Sequence, residues 1–252
     1  MLDLYDTNNW ARVKFETDTS GLPLRTLFNL AFYAPQPAVF FFDGFNAKEM
    51  RKAIFHGYKS KRKPAPDNFY LLLKVFKELL HHTKHVIVEI PGYEADDVIA
   101  TFVKGSPGLE VQILSTDRDF CALGVQTPMA SLKGVAPEDV RLYKTLCGDT
   151  SDSIDGIPGF GEKTFLKLTP EQKKNWVGYL EDGVRKHPTN FPSLGLTRPG
   201  HIEWASKNME LLCTYWQIIG FYDVPMPLIG QHTRVGKPNL ELANSKLKEM
   251  LQ

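Results

Sequence analysis

Short apolar runs rich in β-branched and aromatic residues recur through the first half of the chain and predict β-strands. They lie at Leu2 to Asp6, Ala38 to Asp43, His85 to Ile90 and Val111 to Thr116. Between them, apolar side chains repeat at the spacing of amphipathic helices. These patterns predict helices over Ala47 to His56, Asp67 to His81 and Glu94 to Val103. Strands that alternate with helices are typical of an α/β fold with a mostly parallel central sheet.

The pattern changes in the second half of the chain. After about residue 135 the strand signals stop, and helical segments separated by Gly and Pro follow. We therefore predict an α/β domain over residues 1–135 and a helical domain over residues 136–252. The segment from His201 to Tyr222 is predicted to be an amphipathic helix that serves packing rather than chemistry.

Composition indicates where the protein is located but does not indicate what it binds. Lys and Arg number 30 against 29 Asp and Glu, so net charge alone does not indicate a polyanionic partner. Three cysteines far apart, without a CxxC pair, indicate neither a disulfide framework nor a zinc knuckle. The N-terminal residues carry charges where a signal peptide needs an apolar stretch, and no run approaches the length of a membrane span. A cytoplasmic protein without a membrane partner is expected.

Acidic residues stand at or just beyond the carboxyl end of each predicted strand, the edge where open α/β sheets bind ligands. A single acid there is commonly a helix cap or part of a solvated turn. Asp117 and Asp119 are two residues apart, which directs both carboxylates to one side if the chain is extended. Nine carboxylates converge from five places in the sequence: Asp6, Asp43, Glu94, Asp96, Asp97, Asp117, Asp119, Asp149 and Asp152.

Such a set indicates a metal site, because like charges gathered in one cleft would destabilise a metal-free fold. The oxygen ligands lack accompanying His or Cys, which selects Mg²⁺ or Mn²⁺ rather than Zn²⁺. Two such ions roughly 4 Å apart are the means by which many nucleases hydrolyse phosphodiester bonds.

A basic segment supports a polyanionic substrate. Between Lys48 and Lys63 there are seven Lys or Arg and a single Glu. Such a segment near an acidic metal site suits a phosphate backbone, and Phe55 and Tyr58 within it are candidates to stack on bases. A solvated helix face is the alternative reading of this charge run.

The glycine-rich stretch GIPGFGEKT, Gly156 to Thr164, is neither a Walker loop nor a dinucleotide fingerprint. Glu162 stands where the Walker lysine would follow Gly161, and no predicted strand precedes the stretch. Glycines between two short helices instead expose backbone N–H groups that can hold a phosphate without reading sequence. Lys163 would add a direct charge contact. A simple helix hairpin turn is the alternative, although it needs fewer glycines.

Five motifs, taken in order, resemble those of the 5′ nucleases, a family that includes the 5′→3′ exonuclease domain of bacterial DNA polymerase I, phage 5′ exonucleases and flap endonucleases. They are FFDG, GYKSKR, PGYEADDVIA, STDRDF and GDTSDSIDGIPGFGEKT, and they cover about residues 1–168. The resemblance implies a PIN-like α/β domain followed by a helix–three-turn–helix element that binds duplex. The absence of a polymerase region suggests a stand-alone enzyme, and its small size resembles the phage members. A monomer in a bacterial cell or a phage-infected host is expected. Its substrate would be DNA with a 5′ end, flap or nick, or a DNA–RNA hybrid, in replication or repair.

The resemblance also implies roles for individual residues. Asp6, Asp43, Glu94 and Asp96 would hold one Mg²⁺, and Asp117, Asp119, Asp149 and Asp152 the other, with Asp97 as an accessory. Thr7 stands where the family has glycine, so Asp3 remains an alternative to Asp6. Lys59 and Arg62 match the basic residues that contact the scissile phosphate, and they join Asp117 and Asp119 as the catalytic set. The segment from Ser151 to Lys163 matches the duplex-binding turn, where the family often also holds K⁺. The expected DNA-binding residues are Tyr58, Lys59, Lys61, Arg62, Lys63, Gly156, Gly159, Gly161, Lys163 and Thr164.

Other functions stay open at this point. A structure-specific DNA-binding protein that has lost turnover would keep the fold, although the intact acidic set disfavours it. A PIN-type ribonuclease is the alternative enzyme, but such proteins are shorter and lack the helical duplex-binding element. His81, His82 and His85 in HHTKH could form a metal site. Histidines that interact with the exposed carbonyls of a helix end are the favoured interpretation.

Overall fold

A computed structural model describes residues 1–183 and 190–250 of the chain. The chain forms two compact units, each made of separate stretches. The first comprises Met1–Lys48, Pro64–Ser131 and Phe221–Gln252, and the second comprises Glu49–Lys63 and Leu132–Gly220. The predicted division at residue 135 lies close to the transition after Ser131. The predicted ranges 1–135 and 136–252 differ from these units, because the basic segment groups with the helical unit and the C-terminal stretch groups with the sheet.

The first unit is built on a five-stranded sheet. Its strands are β1 (Leu2–Asp6), β2 (Ala38–Phe42), β3 (Val86–Glu89), β4 (Val111–Leu114) and β5 (Thr233–Val235). The spatial order is β4-β1-β2-β3-β5; the first four strands pair in parallel, and β5 runs antiparallel to β3. The four predicted strands and the mostly parallel sheet are confirmed. The expectation that strands end near residue 135 is wrong for β5.

Helices surround the sheet and form the second unit. In chain order they are α1 (Thr7–Thr17), α2 (Pro23–Phe32), α3 (Glu49–Ile54), α4 (Asp67–Leu80), α5 (Ala95–Gly105), α6 (Val140–Cys147), α7 (Glu162–Phe165), α8 (Pro170–Asp182), α9 (Pro199–Ile219), α10 (Met226–Gln231) and α11 (Leu240–Met250). The three predicted helices correspond to α3, α4 and α5, and the predicted tail helix corresponds to α9. Within the described residues, no helix is both long and apolar enough to cross a membrane.

The alternation of β2 shows how the sheet buries both faces. Phe40 and Phe42 enter a core with side chains of α1, α2, α4 and α11. Val39 and Phe41 enter a second core with α5 and α10. A parallel strand covered on both faces is expected to be apolar throughout, which is why AVFFF shows no polar position. This packing on both faces holds β2 in place, and Asp43 directly follows its last residue, Phe42.

The second unit has its own core, centred on the fully buried Trp176. The indole Nε1–H of Trp176 donates to the carbonyl of Leu194 at 2.8 Å, so the buried ring keeps its polar group satisfied. Arg51 from α3 is also buried, and it donates to the carbonyls of Ile218 and Gly220 at the end of α9, each at 3.0 Å. A cation at these terminal carbonyls complements the negative end of α9. Arg51 therefore stabilises the end of α9, and its burial keeps it from contacting a phosphate.

Candidate functional site

Three acidic side chains interact at the carboxyl edge of the sheet. Asp6 ends β1, Asp43 follows β2, and Asp117 lies beyond the end of β4. Asp6 is buried, and its carboxylate accepts a hydrogen bond from the hydroxyl of Ser115 at 2.8 Å. Burial and the charges of Asp43 and Asp117 nevertheless raise the pKa of Asp6 to about 7, against the effect of Ser115. Negative charge is therefore concentrated where these strands end.

Neighbouring groups hold the carboxylate of Asp43 in place. One oxygen accepts from the side-chain amide of Asn8, and the other accepts from the backbone N–H of Ala95, each at 3.0 Å. Asn8 lies in α1 and Ala95 begins α5, so two helix starts fix one acid. Asp3, the alternative to Asp6, lies within β1 and accepts from the side chain of Gln112 at 2.6 Å. Its position inside the strand leaves Asp6 as the acid at the edge.

The EADD acids occupy different positions at the start of α5. Glu94 precedes the helix and is buried, Asp96 is half-buried, and Asp97 is fully buried. An Asp97 carboxylate oxygen accepts from the backbone N–H of Tyr222 at 2.7 Å. Asp97 thus ties α5 to the C-terminal stretch of the same unit. This contact gives the predicted accessory ligand a structural role.

Asp117 and Asp119 are not related by an extended chain. Asp117 precedes a 3₁₀ helix over Arg118–Leu123, and its side chain accepts from the backbone N–H of Asp119 at 2.9 Å. The extended chain that would direct both carboxylates to one side is therefore not present here, because the chain already turns at Arg118. Asp117 acts as the cap of that turn, while Asp119 is buried within it.

In the second unit, lysines stand beside the remaining acids. The ammonium of Lys144 lies 2.6 Å from an Asp149 oxygen, and that of Lys59 lies 3.8 Å from an Asp152 oxygen. Burial acts to raise the pKa of Asp149, but Lys144 and hydrogen bonds from Ser151 bring it below its ordinary value. Asp149 is therefore ionised and positioned. Sequence reasoning missed Lys144; its place five residues before Asp149 on α6 was the available signal.

The basic segment presents some of its side chains to solvent and buries others. Lys61, Arg62 and Lys63 are exposed, and Lys61 pairs with Asp155 at 2.7 Å. Tyr58 is only 2% exposed and packs in the core of the second unit, beneath the ammonium of Lys59. The prediction that Tyr58 stacks on bases is wrong, because no ring face is available. Phe55 is half-buried and packs edge-on against Tyr215.

The glycine-rich stretch makes a tight turn that only glycine permits at one point. Gly156 has φ +64°, and a Cβ there would lie 2.4 Å from the nitrogen of Gly148. Gly159 is also left-handed, at φ +74°, while Gly161 precedes the short α7. Lys163 is exposed and Thr164 is half-buried on that helix. The turn between α6 and α7 thus brings backbone and one lysine to the surface of this unit.

The histidines of HHTKH have structural surroundings. His85 is fully buried; its Nδ1 accepts from the backbone N–H of Ala38 at 3.0 Å, and its Nε2 lies 2.6 Å from the carbonyl of Ala31. Both ring nitrogens are therefore used within the core, with the proton on Nε2. His81 and His82 follow the end of α4. His85 therefore has no ring nitrogen left to bind a metal ion.

A mostly parallel α/β sheet with carboxylates clustered where its strands end is the arrangement of a nuclease. The family described as "5'-3' exonuclease, N-terminal resolvase-like domain" matches residues 16–144. The chain belongs to the 5′–3′ exonuclease family. A 5′–3′ exonuclease of Aquifex aeolicus is 30% identical over 245 residues, covering 90% of this chain and 80% of that protein.

A longer relative shows how much of a multidomain protein the chain spans. The thermostable DNA polymerase I of Thermus filiformis is 39% identical over 232 residues. The match covers 85% of this chain and 26% of that polymerase, so the chain spans about a quarter of the relative's length.

Solved structures of phage T5 proteins share the fold. The T5 5′-exonuclease with bound zinc ions superposes with a TM-score of 0.62 at 20% identity, covering 99% of this chain and 98% of that one. The bacteriophage T5 flap endonuclease, in a pseudo-enzyme-product complex with DNA and metal ions, gives a TM-score of 0.53 at 20% identity. It covers 99% of this chain and 97% of the phage chain. The predicted fold class and family are confirmed.

Proposed function

We propose that this chain is a magnesium-dependent 5′→3′ exonuclease and flap endonuclease. Its substrates are DNA with a 5′ end, flap or nick and RNA primers in DNA–RNA hybrids, and its setting is replication or repair. The observation that carries the proposal is the gathering of Asp6, Asp43 and Asp117 at the carboxyl edge of the sheet, where α/β proteins bind ligands. Burial and the charges of Asp43 and Asp117 there disfavour the ionised form of Asp6.

Divalent magnesium fits this donor set. The donors are carboxylate oxygens, and a bound cation would offset the repulsion that the charges of Asp43 and Asp117 exert on buried Asp6. We assign Asp6, Asp43, Glu94 and Asp96 to one ion, and Asp117 and Asp119 to a second. The family resemblance assigns Asp149 and Asp152 of the second unit to metal binding as well. Mn²⁺ is expected to substitute, since it prefers the same ligands.

The chemistry that the ions supply when bound is activation of water and stabilisation of the leaving oxygen of the phosphodiester. The chain's own residues hold the acids for that work. Asn8 and the start of α5 fix Asp43, and Ser115 fixes Asp6. Because these partners are already in place, little reorganisation accompanies substrate binding.

Cationic side chains of the second unit are assigned to the substrate backbone. Lys59 and Arg62 contact the scissile phosphate, and Lys61 and Lys63 add to the local positive potential. The turn at Gly156, Gly159 and Gly161, with Lys163 and Thr164, holds duplex through backbone N–H groups and charge. None of these groups reads base edges, which suits recognition of nucleic-acid structure rather than sequence.

A cleavage assay tests the proposal. The substrates are 5′-flap DNA, nicked duplex, RNA-primed duplex and single-stranded RNA, each with Mg²⁺ and with chelator. We expect Mg²⁺-dependent release of products from the 5′ ends of the first three. Cleavage of single-stranded RNA alone would identify a PIN-type ribonuclease, and binding of flap DNA without turnover would identify a non-catalytic binding protein.

Asp117→Asn provides the matched variant. It removes one proposed ligand and one repulsive charge together, so cleavage is abolished while flap binding is retained or strengthened. Loss of both folding and binding in Asp117→Asn would instead make Asp117 a structural cap of its 3₁₀ helix, and the metal assignment would fail.

A further inference from the structure

Phe45 is an exposed aromatic ring beside the acidic edge of the sheet. Its side chain is 77% exposed, the largest fraction among the exposed large hydrophobic residues of the described ranges. Single exposed apolar side chains are ordinary on protein surfaces, so exposure alone does not indicate a ligand. The surroundings of Phe45 distinguish it from the others.

The backbone that carries Phe45 is held rigidly on both sides. The carbonyl of Phe45 accepts from Gly92 at 2.8 Å, and the N–H of Gly44 donates to Tyr93 at 3.0 Å. A Cβ on Gly44 would lie 1.8 Å from the carbonyl oxygen of Ile90, so only glycine allows the two loops to touch. Asn46 then turns the chain in the left-handed region, at φ +58°. The loop backbone is therefore anchored, and the Phe45 side chain extends from it into solvent.

The same loop positions an acid of the proposed metal site. Asp43 precedes Phe45 by two residues, so their Cα atoms are at most about 7 Å apart. The carboxylate of Asp43 is fixed by Asn8 and Ala95, as described above. A ring and a carboxylate thus share one rigid support at the edge where the phosphodiester would be cut.

We propose that Phe45 stacks on a nucleobase next to the scissile phosphate and so positions the strand that is cut. The proposal rests on the nuclease function proposed above. A phenyl ring offers a flat face without hydrogen-bonding groups, so it accepts any base and suits an enzyme that does not read sequence. A single exposed ring matches the size of one base, whereas a stable protein interface needs far more area. Phe45 is thus an exposed aromatic side chain two residues from Asp43.

The test combines protein variants with substrates that lack single bases. Wild type, Phe45→Ala and Phe45→Trp are assayed with Mg²⁺ on a series of 5′-flap DNAs, each with an abasic residue at one position flanking the cleavage site. Single-turnover rates across enzyme concentrations separate substrate affinity from the rate of cleavage at saturation. Tyr33→Ala is the matched control, because Tyr33 is 68% exposed but precedes β2 and lies at the opposite end of that strand from Asp43.

For wild type we expect one abasic position to weaken affinity by roughly 5- to 150-fold, the usual effect of losing one base–aromatic stack. Phe45→Ala should show a loss of that size on intact DNA and no further loss at that position. Phe45→Trp should restore both the affinity and the abasic penalty, and Tyr33→Ala should match wild type.

Equal abasic penalties in wild type and Phe45→Ala at every position would overturn the inference, even if both proteins cleave the flap. A loss of affinity in Phe45→Ala that is independent of the base removed would also overturn it and would indicate a different contact. Absence of Mg²⁺-dependent cleavage by wild type on every substrate would overturn the proposed function itself. The two failures are therefore distinct.

Discussion

The ammonium of Lys144 lies 2.6 Å from the carboxylate of Asp149, and the two side chains are 7% and 11% exposed. A pair this deeply buried costs desolvation, and its stability depends on both partners being present. Removal of the cation leaves a buried carboxylate without its nearest positive charge.

Lys144→Met is expected to lower the free energy of unfolding by about 3–5 kcal/mol in chelator, the usual effect of breaking a buried pair from one side. Urea denaturation at neutral pH measures it. Lys173→Met is the control, because Lys173 pairs with Asp139 at the same 2.6 Å but in a more exposed position. Equal losses of stability in the two variants would contradict the claim that burial makes the Lys144–Asp149 pair the more important one.

Asp6→Asn is expected to raise the melting temperature in chelator, since it removes a charge that burial disfavours and that Asp43 and Asp117 repel. The same variant should lose most of the stabilisation that Mg²⁺ gives wild type. For one site that stabilisation is about 2.7 kcal/mol when Mg²⁺ is at one hundred times its Kd. Thermal melts with and without Mg²⁺ give both quantities. A lower melting temperature in chelator would mean that the bond from Ser115 outweighs the repulsion.

His85 is expected to make folding sensitive to acid. Burial lowers the pKa of its imidazole, against the bond to Ala31, and nearby Lys84 lowers it further. A folded pKa below the unfolded value of about 6.5 means that the contribution is complete above that pH. The contribution of His85 to the free energy of unfolding is lost as pH falls, by at most about 1.4 kcal/mol per pH unit.

Subtraction isolates the effect of His85 from that of Asp6, whose raised pKa acts in the opposite direction. The stability of wild type minus that of His85→Gln should shrink between pH 7 and pH 5 in urea titrations. His56→Gln is the control, since His56 is exposed. A difference that does not vary with pH would show that the imidazole remains neutral throughout.

Lys59 and Lys163 are expected to differ in kind. Lys59→Ala should reduce the saturated single-turnover rate by on the order of 100-fold, as for loss of one preorganised donor at a reacting centre. Lys163→Ala should mainly raise KM and flatten the logarithmic salt dependence of duplex binding by about one unit. Single-turnover kinetics and binding across a salt series measure both. Equal slowing in the two variants would place both lysines at the chemistry.

Much of the sheet was predictable from sequence because its central strands are buried on both faces. A continuous apolar run such as AVFFF in β2 is typical of a parallel strand that is buried on both faces of a sheet. β5 gave no such signal: its three residues are half-buried or exposed, and an edge strand can be short and polar. Helices α1 and α2 also went unpredicted, although Pro23 stands at the first position of α2.

The gathering of Asp6, Asp43 and Asp117 at one edge was predictable because strand ends in a parallel sheet share that edge. Their partners were not, because hydrogen bonds such as Asn8 to Asp43 join residues 35 positions apart. Burial of Tyr58 was equally hidden, since a loop has no periodicity that shows which side chains face inward. The exposed ring of Phe45 was missed for the same reason.

The order in which the sheet is assembled has a consequence for synthesis of the chain. β3 (Val86–Glu89) is made well before β5 (Thr233–Val235), its antiparallel neighbour in the sheet. Until β5 emerges from the ribosome, β3 presents an edge of unpaired N–H and C=O groups, which is a template for pairing with other chains. Contacts between such distant segments also slow folding. The nascent chain therefore carries an open β3 edge from the synthesis of Val86–Glu89 until that of Thr233–Val235.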